Sequence, residues 1–398
     1  MQLPADTLRE GALEVVRTLR AHGHQALWAG GCVRDMLLGR PPKDIDVATS
    51  ATPEEVMPCF PKAYPVGAAF GVVRVLHAGH EYEIATFRSD GAYIDGRRPV
   101  DVRWASAEED VARRDFTING LLYDPVAGTV HDHVGGEADL RAGLIRAIGE
   151  PAARFGEDHL RVLRALRFSA RFGFKIDDPT WQAVCAFAPK VAGVSVERLR
   201  DELEKLLTEG GAARGLGLLV ESGVGPVVLP GLDLTHPARH FMGLGACSPE
   251  LGWAILAAGL PEGTVAAFLD GLRQARTFGR LVADAVEVAR VIPRYGTLKT
   301  SGKKRLLRRP GSDVGLSLAA ALGHDPALAR GDLTRWDAAT LSPPPLVTGH
   351  DLSAAGLKAG PRFKDALFAA ETAQLDGLIT TRDEALALAL PIARGEAV

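Results

Sequence analysis

The spacing of apolar positions changes character near residue 137, and that change divides the chain into two kinds of structure. Leu8, Leu13, Val16 and Leu19 recur at helical spacing within residues 3–22, which predicts an amphipathic helix. Leu27-Trp28-Ala29 predicts a buried strand, residues 33–38 a short helix and residues 44–47 a second strand. Residues 52–59 read as a helix, with Thr52 as N-cap and Glu55 three positions on to complete a capping box. Residues 70–77 and 80–87 read as a hairpin turning at Ala78-Gly79. Residues 89–104 are rich in Gly, Asp and Arg with little apolar pattern, and are expected to form a mobile, charged loop. From about residue 137 onward helical periodicity dominates, broken by Gly and Pro near 210–216, 222–231, 293–296 and 342–345, with no repeat of fixed period. The expected architecture is a small α/β head with largely antiparallel strands, followed by a long all-α remainder.

Composition narrows the class without naming a function. At 398 residues the chain should split into two to four units. A hydrophobic share of 46% and a charged share of 24% are those of a globular protein in water. Cys32, Cys59, Cys185 and Cys247 are scattered with no CxxC pair, which argues against structural zinc or a disulfide framework and fits a reducing cytoplasm. The N-terminus carries acids early and has no long apolar run, so no signal peptide is expected. No uncharged apolar stretch reaches eighteen residues, so no membrane span is expected either. The net charge of −3 lacks the positive excess of many nucleic-acid binders, so any polyanion contact must come from local patches. The densest patch holds Lys299, Lys303, Lys304, Arg305, Arg308 and Arg309. It reads equally as an exposed basic helix face or as an RNA contact.

Residues 28–50, WAGGCVRDMLLGRPPKDIDVATS, carry the sharpest chemistry. On a strand, Asp44 and Asp46 share a face while Ile45 points into the core. Upstream, Gly30-Gly31 lets backbone N–H groups approach a phosphate at a helix start. Two carboxylates beside a phosphate cradle suit two-metal nucleotidyl transfer, in which one ion activates a hydroxyl and the other steadies pyrophosphate. A lone D-x-D is commonly a pair of solvated acids, and a lone GG a turn. Their order within twenty residues favours the catalytic reading. Two further blocks stand open on their own residues. In VARRDFTINGLLYD, Arg113, Arg114 and Asp115 precede an apolar run as if at a helix entrance, suited either to phosphate and ribose contact or to plain capping. In FGEDHLRVLRALRFSARFGF, Asp158, Arg161 and Arg164 share one helix side. That spacing suits a protein copy of a base edge, or merely an i,i+3 ion pair, and in isolation the ion pair is the better reading.

GGCVRD, KDIDVATSATPEEV, EIATFR, RRDFTINGLLYD, EDHLRVLRALRF and SVERLRDELEKLL occur in that order across residues 28–207. Together they resemble the signature blocks of bacterial class II tRNA nucleotidyltransferases, the CCA-adding enzymes, within the wider group that includes bacterial poly(A) polymerases. The resemblance resumes near the C-terminus in TGHDLSAAGLKAGPRFKDALFAAETAQLDGLITTRDEAL, whereas residues 210–340 match only in their helical, Ala- and Leu-rich character. Gly120 stands where Ala is usual, residues 66–73 resemble the CCA-adding form rather than the basic poly(A) polymerase segment, and no histidine–aspartate phosphohydrolase motif follows.

The resemblance implies a polymerase-beta-like nucleotidyltransferase head over residues 1–140, a neck over 141–210, a body over 211–340 and a tRNA-binding tail over 341–398. It implies that Asp44 and Asp46 hold two Mg²⁺ and that Gly31 and Arg34 line the triphosphate site. Arg114 would bind the phosphate–ribose end of the nucleotide. Asp158 and Arg161 would select C or A, with Arg164 and Arg167 completing the pocket. Residues 90–98 would help switch specificity from C to A, and Glu83 is the candidate third acid. The implied partners are the tRNA 3′ end, CTP and ATP. The alternatives are an A-adding or CC-adding relative, a poly(A) polymerase, or a non-catalytic RNA binder on the same scaffold. The last is disfavoured because both aspartates are present, and a CC-only enzyme because residues 89–104 are not shortened.

Overall fold

A computed structural model of the 398-residue chain describes residues 5–66, 71–91 and 102–396. It divides into two compact units, Met1–Thr235 and His236–Val398. The first unit opens with helix α1 (Ala5–Ala21), where Val16 and Leu19 of the expected stripe are fully buried, Leu8 and Leu13 are only partly so, and Ala12 and Val15 complete the buried face. Strand β1 (Ala26–Ala29), helix α2 (Gly31–Leu37), strand β2 (Asp46–Thr49) and the one-turn helix α3 (Pro53–Val56) follow. The Thr52 backbone N–H donates to the Glu55 carboxylate at 2.8 Å, so the predicted capping box forms. Next come β3 (Ala63–Pro65), β4 (Val72–His77), β5 (His80–Thr86), β6 (Arg88–Asp90) and β7 (Val102–Trp104). Ala78 and Gly79 both have positive φ, 49° and 81°, the conformation of a two-residue turn whose twist matches a hairpin.

Helix α4 (Ala107–Ala112) leads to β8 (Leu121–Asp124) and β9 (Thr129–Asp132). Seven strands form one sheet in the order β3-β4-β5-β2-β1-β8-β9. All neighbours are antiparallel except β2 and β5, which run parallel with Val47 opposite Ile84. One sheet face buries Leu27, Ala29, Ala48 and Leu122 against Phe87 and Val111. Helices α5 (Gly136–Ala142), α6 (Pro151–Glu157), α7 (Leu160–Phe172), α8 (Asp178–Phe187) and α9 (Val196–Thr208) then take over, with two-residue strands at Leu144–Ile145 and Lys175–Ile176. The second unit is helical among the described residues. No helix among them is long and apolar enough to cross a membrane.

Three local expectations need correction. Strand β2 begins at Asp46, so Asp44 and Ile45 lie just ahead of it, although Ile45 is still buried between two exposed aspartates. Arg113, Arg114 and Asp115 leave α4 rather than enter a helix. The apolar run after them is a short turn and β8, buried at both Leu121 and Leu122, so no alternation announced it. Asp158 is not on a helix. It has extended backbone between α6 and α7, and its carboxylate accepts the Leu160 N–H at 3.1 Å.

Candidate active site

A polar cavity of about 490 Å³ opens where α2, the 113–119 segment, α7 and α9 meet within the first unit. Gly31, Arg34, Asp46, Arg114, Asp158, Arg161, Arg164 and Arg167 all line it, so it gathers most of the residues singled out by sequence. Asp44 lies beside Asp46, outside the cavity wall itself. The eight arginines of the lining make the cavity a receptor for anions.

Gly30 and Gly31 form the turn from β1 into α2. Gly30 has φ of 70°, and a side chain there would place its Cβ 3.0 Å from the Arg114 guanidinium. The Gly30 N–H donates to Leu121 O at 2.9 Å, so that amide is spent on β8 rather than left for a ligand. Desolvation, then the neighbouring Asp44 and Glu83 carboxylates, push the Asp46 pKa up to about 6, with Arg114 opposing. Glu83 immediately precedes Ile84, the partner of Val47, and so stands beside Asp46 across the parallel β2–β5 pair. It is half exposed and bound to Arg74 at 3.1 Å. Among the described residues no three His, Cys, Asp or Glu side chains converge closely enough to form a metal cage.

Arg34 is buried. It donates to Asp35 through Nε at 2.8 Å and to the Asn119 side chain through Nη1, while its plane lies over Phe172 and Phe168. Arg114 pairs with Asp110 at 2.9 Å, and Arg113 with the same carboxylate at 2.6 Å. Burial alone would raise the Asp115 pKa. Arg164 beside it and hydrogen bonds from Asn119, Arg164 and the Phe116 amide outweigh that and hold it down at about 2.

Asp158 and Arg161 do not bridge each other. Asp158 pairs with Arg198 at 2.7 Å, and Arg161 with Glu157 at 2.6 Å while also donating to Arg113 O at 2.9 Å. Each is thus held separately at the cavity wall, and the simple i,i+3 ion pair is not what places them. Arg164 bonds Asp115 and Glu202, and Arg167 bonds Glu202 at 2.6 Å and Glu209 at 3.0 Å.

Sequence reasoning gave Asn119, Phe168, Arg171 and Arg198 no functional role, and left Arg113 and Asp115 open between phosphate or ribose contact and plain capping. Arg171 was within reach, being four residues after Arg167 on the same helix face. Arg198 carried no local signal, because its partner lies forty residues away. Within the loop proposed to switch specificity, residues 92–98 fall outside the described residues. Its flanks, β6 and β7, pair antiparallel. The basic cluster at 299–309 keeps Lys299, Arg308 and Arg309 exposed but is partly engaged within its own unit. Arg305 and Arg308 both bind Glu371, at 2.6 and 2.8 Å, and Lys304 donates to Leu375 O at 3.0 Å.

Comparison with known proteins identifies the family. Residues 26–146 match the family model of the poly A polymerase head domain, and residues 173–235 match the probable RNA and SrmB-binding site of polymerase A. The CCA-adding enzyme of Geobacillus thermodenitrificans is 50% identical over 222 residues, 56% of this chain and 54% of the relative. That match spans about half the length of the relative. The CCA-adding enzyme of Bacillus pumilus is 39% identical over 287 residues, 71% of this chain and 70% of the relative. The crystal structure of the Bacillus stearothermophilus CCA-adding enzyme in complex with CTP superposes with a TM-score of 0.81 at 36% identity, covering 96% of each chain. With a poly A polymerase head domain and CCA-adding enzymes matched over 70% and 96% of their own length, the chain belongs to the CCA-adding enzyme family.

Proposed function

We propose that this chain adds CCA to the 3′ end of tRNA from CTP and ATP, without a nucleic-acid template. The observation that carries this reading is the convergence in one cavity of Asp46, an arginine-rich wall, and the Asp158/Arg161 pair. The arginines suit a triphosphate, with Arg34 and Gly31 on α2 and Arg114, Arg164 and Arg167 opposite. Asp158 spends one contact on Leu160 N–H and one on Arg198, leaving lone pairs to accept an exocyclic amino group. Arg161 then donates to the adjacent ring nitrogen. Cytosine and adenine both offer that amino-then-acceptor pattern, and uracil and guanine offer the reverse.

The donor set fits a magnesium site of the usual sparse kind, one or two carboxylates completed by substrate phosphates. Asp44 and Asp46 stand adjacent with Glu83 adding to their mutual repulsion, which a divalent ion relieves. Asp44 and Asp46 would hold Mg²⁺, which would supply charge neutralisation for the attacking tRNA hydroxyl, the α-phosphate and the departing pyrophosphate. The helical neck (141–210), body (211–340) and tail (341–398) are assigned to the tRNA, held chiefly through phosphates and shape. Such work belongs in the cytoplasm, where the four scattered free cysteines stay reduced.

The test is incubation of tRNA lacking its 3′ end with each nucleotide alone and in combination, followed by sequencing of the products. Wild type should build CCA from CTP plus ATP. Asp46→Ala should add nothing while still binding tRNA. Asp158→Ala should admit UTP or GTP, with selectivity falling about ten- to a hundredfold. Products ending in A alone, in CC alone or in a long A run would assign the chain to the partial-activity relatives or the poly(A) polymerases. No addition by wild type from any nucleotide would end the enzymatic reading.

A further inference from the structure

The cavity wall is backed by a chain of polar contacts that returns to its starting point. On the head side, Asp35 holds Arg34, Arg34 donates to Asn119, and Asn119 donates to Asp115 at 3.0 Å. On the helical side, Asp115 holds Arg164, and Glu202 joins Arg164 to Arg167, whose other arm reaches Glu209. Arg171 closes the ring. Its Nη1 lies 3.3 Å from the Glu209 carboxylate and its Nη2 lies 3.4 Å from Asp35. The Arg171 guanidinium also lies 5.0 Å from the centre of the Phe172 ring, the same ring that carries Arg34 at 4.7 Å.

We propose that Arg171 is a positioning residue for nucleotide binding, acting through Asp35 to set Arg34 and helix α2 against helix α7. One oxygen of Asp35 is committed to Arg34, at 2.8 and 2.7 Å, and the other to Arg171. Asp35 is therefore the direct ionic link from Arg171 to Arg34 on the opposite wall. Without Arg171, Asp35 and Glu209 each lose a counter-charge in a poorly solvated setting, and α2 keeps only the stacking of Arg34 on Phe168 and Phe172 as its tie to the end of α7. Arg34 and Gly31 sit on α2, whereas Arg164 and Arg167 sit on α7, so the two groups of anion contacts fall out of register. Asp158 and Arg161 lie at the opposite end of α7 and keep their own partners, Arg198 and Glu157. The consequence is a loss of affinity common to CTP and ATP, with base selection intact.

This inference rests on the nucleotide-binding reading above. Its test is calorimetric titration of full-length wild type, Arg171→Met, Arg171→Lys, Asp35→Asn and the Arg171→Met/Asp35→Asn double variant with CTP and with ATP, in Mg²⁺. Steady-state kinetics and melting curves accompany it. Arg171→Met should weaken both nucleotides about tenfold, as contacts in one network do. The loss should fall on KM more than kcat and leave discrimination against UTP unchanged. Arg171→Lys, which folds with the charge retained, should recover part of the affinity. In the Asp35→Asn background the same Met substitution should have no more than about a twofold further effect. An undiminished effect in that background would mean that Arg171 touches the nucleotide itself and would overturn the proposal. A lowered melting temperature with unchanged affinity would overturn it as well, leaving only a structural tie. A wild type that binds neither nucleotide overturns the proposed function, and this inference with it. A wild type that binds both while Arg171→Met binds them equally well overturns the inference alone.

Discussion

At the scale of single residues, Asp115 shows how burial and pairing compete. A buried carboxylate should titrate high, yet Arg164 and three hydrogen bonds hold this one at about 2, against an ordinary 3.8. A group depressed on folding stabilises the protein above its unfolded pKa and loses that contribution as pH falls through the folded value. The depression corresponds to stabilisation on the order of 2 kcal/mol near neutrality. Asp115→Asn should accordingly be less stable than wild type at pH 7, with a constant gap down to about pH 4 that closes towards pH 2. Urea unfolding followed across that range measures the gap. A gap that stays constant to pH 2 would show that the ionised Asp115 carboxylate is not its source. The residues of this site were legible in unequal measure. Asp46 follows from motif and Arg164 from helical spacing, whereas Arg167 came only with the family resemblance. The Arg34–Asn119 bond spans eighty-five positions and Arg171–Asp35 one hundred and thirty-six, and no local period encodes either.

At the scale of elements, the helix Thr300–Leu307 shows a charge pattern whose meaning depends on its neighbour. Six basic residues in eleven suggest solvent or RNA, but the helix Pro361–Leu375 supplies Glu371 between Arg305 and Arg308, and Phe368 beneath Arg305 at 4.0 Å. Asp376 then caps the first helix from outside, accepting the Ser301 N–H at 2.6 Å. Lys299, at the cap position, offers no side-chain oxygen for that role. Glu371→Gln should cost about 1 kcal/mol, since the pair is partly exposed. That lowers the melting temperature of the C-terminal unit by roughly 2–4 °C. Because Arg305 and Arg308 are already paired, replacing both with alanine should leave the salt dependence of tRNA binding unaltered. A change in the log–log slope of about 0.7–0.9 per residue would instead mark them as phosphate contacts.

At the scale of the whole molecule, the division into Met1–Thr235 and His236–Val398 places every residue of the arginine-lined cavity in the first unit. Calorimetry should resolve two transitions. At a hundred times its dissociation constant, CTP should stabilise the first unit by about 2.7 kcal/mol and raise its transition by roughly 5–10 °C, leaving the other in place. One transition moving as a whole would show that the units melt together. The hairpin at Ala78-Gly79, the capping box at Thr52 and the change to helix after residue 137 were determined by sequence alone, because each depends on residues within a few positions of one another, whereas the pairings of the head's sheet, such as Val47 with Ile84, join distant segments. Strands β8 and β9 were not, since Leu121 and Leu122 are both buried and the alternation that marks a half-exposed strand is lost. Tertiary structure alone decided which charges would meet: Asp158 with Arg198, Arg161 with Glu157, Glu371 with Arg305. A local pattern fixes how a side chain is presented, but the choice among many possible counter-charges is made only when folding removes water and brings distant helices together.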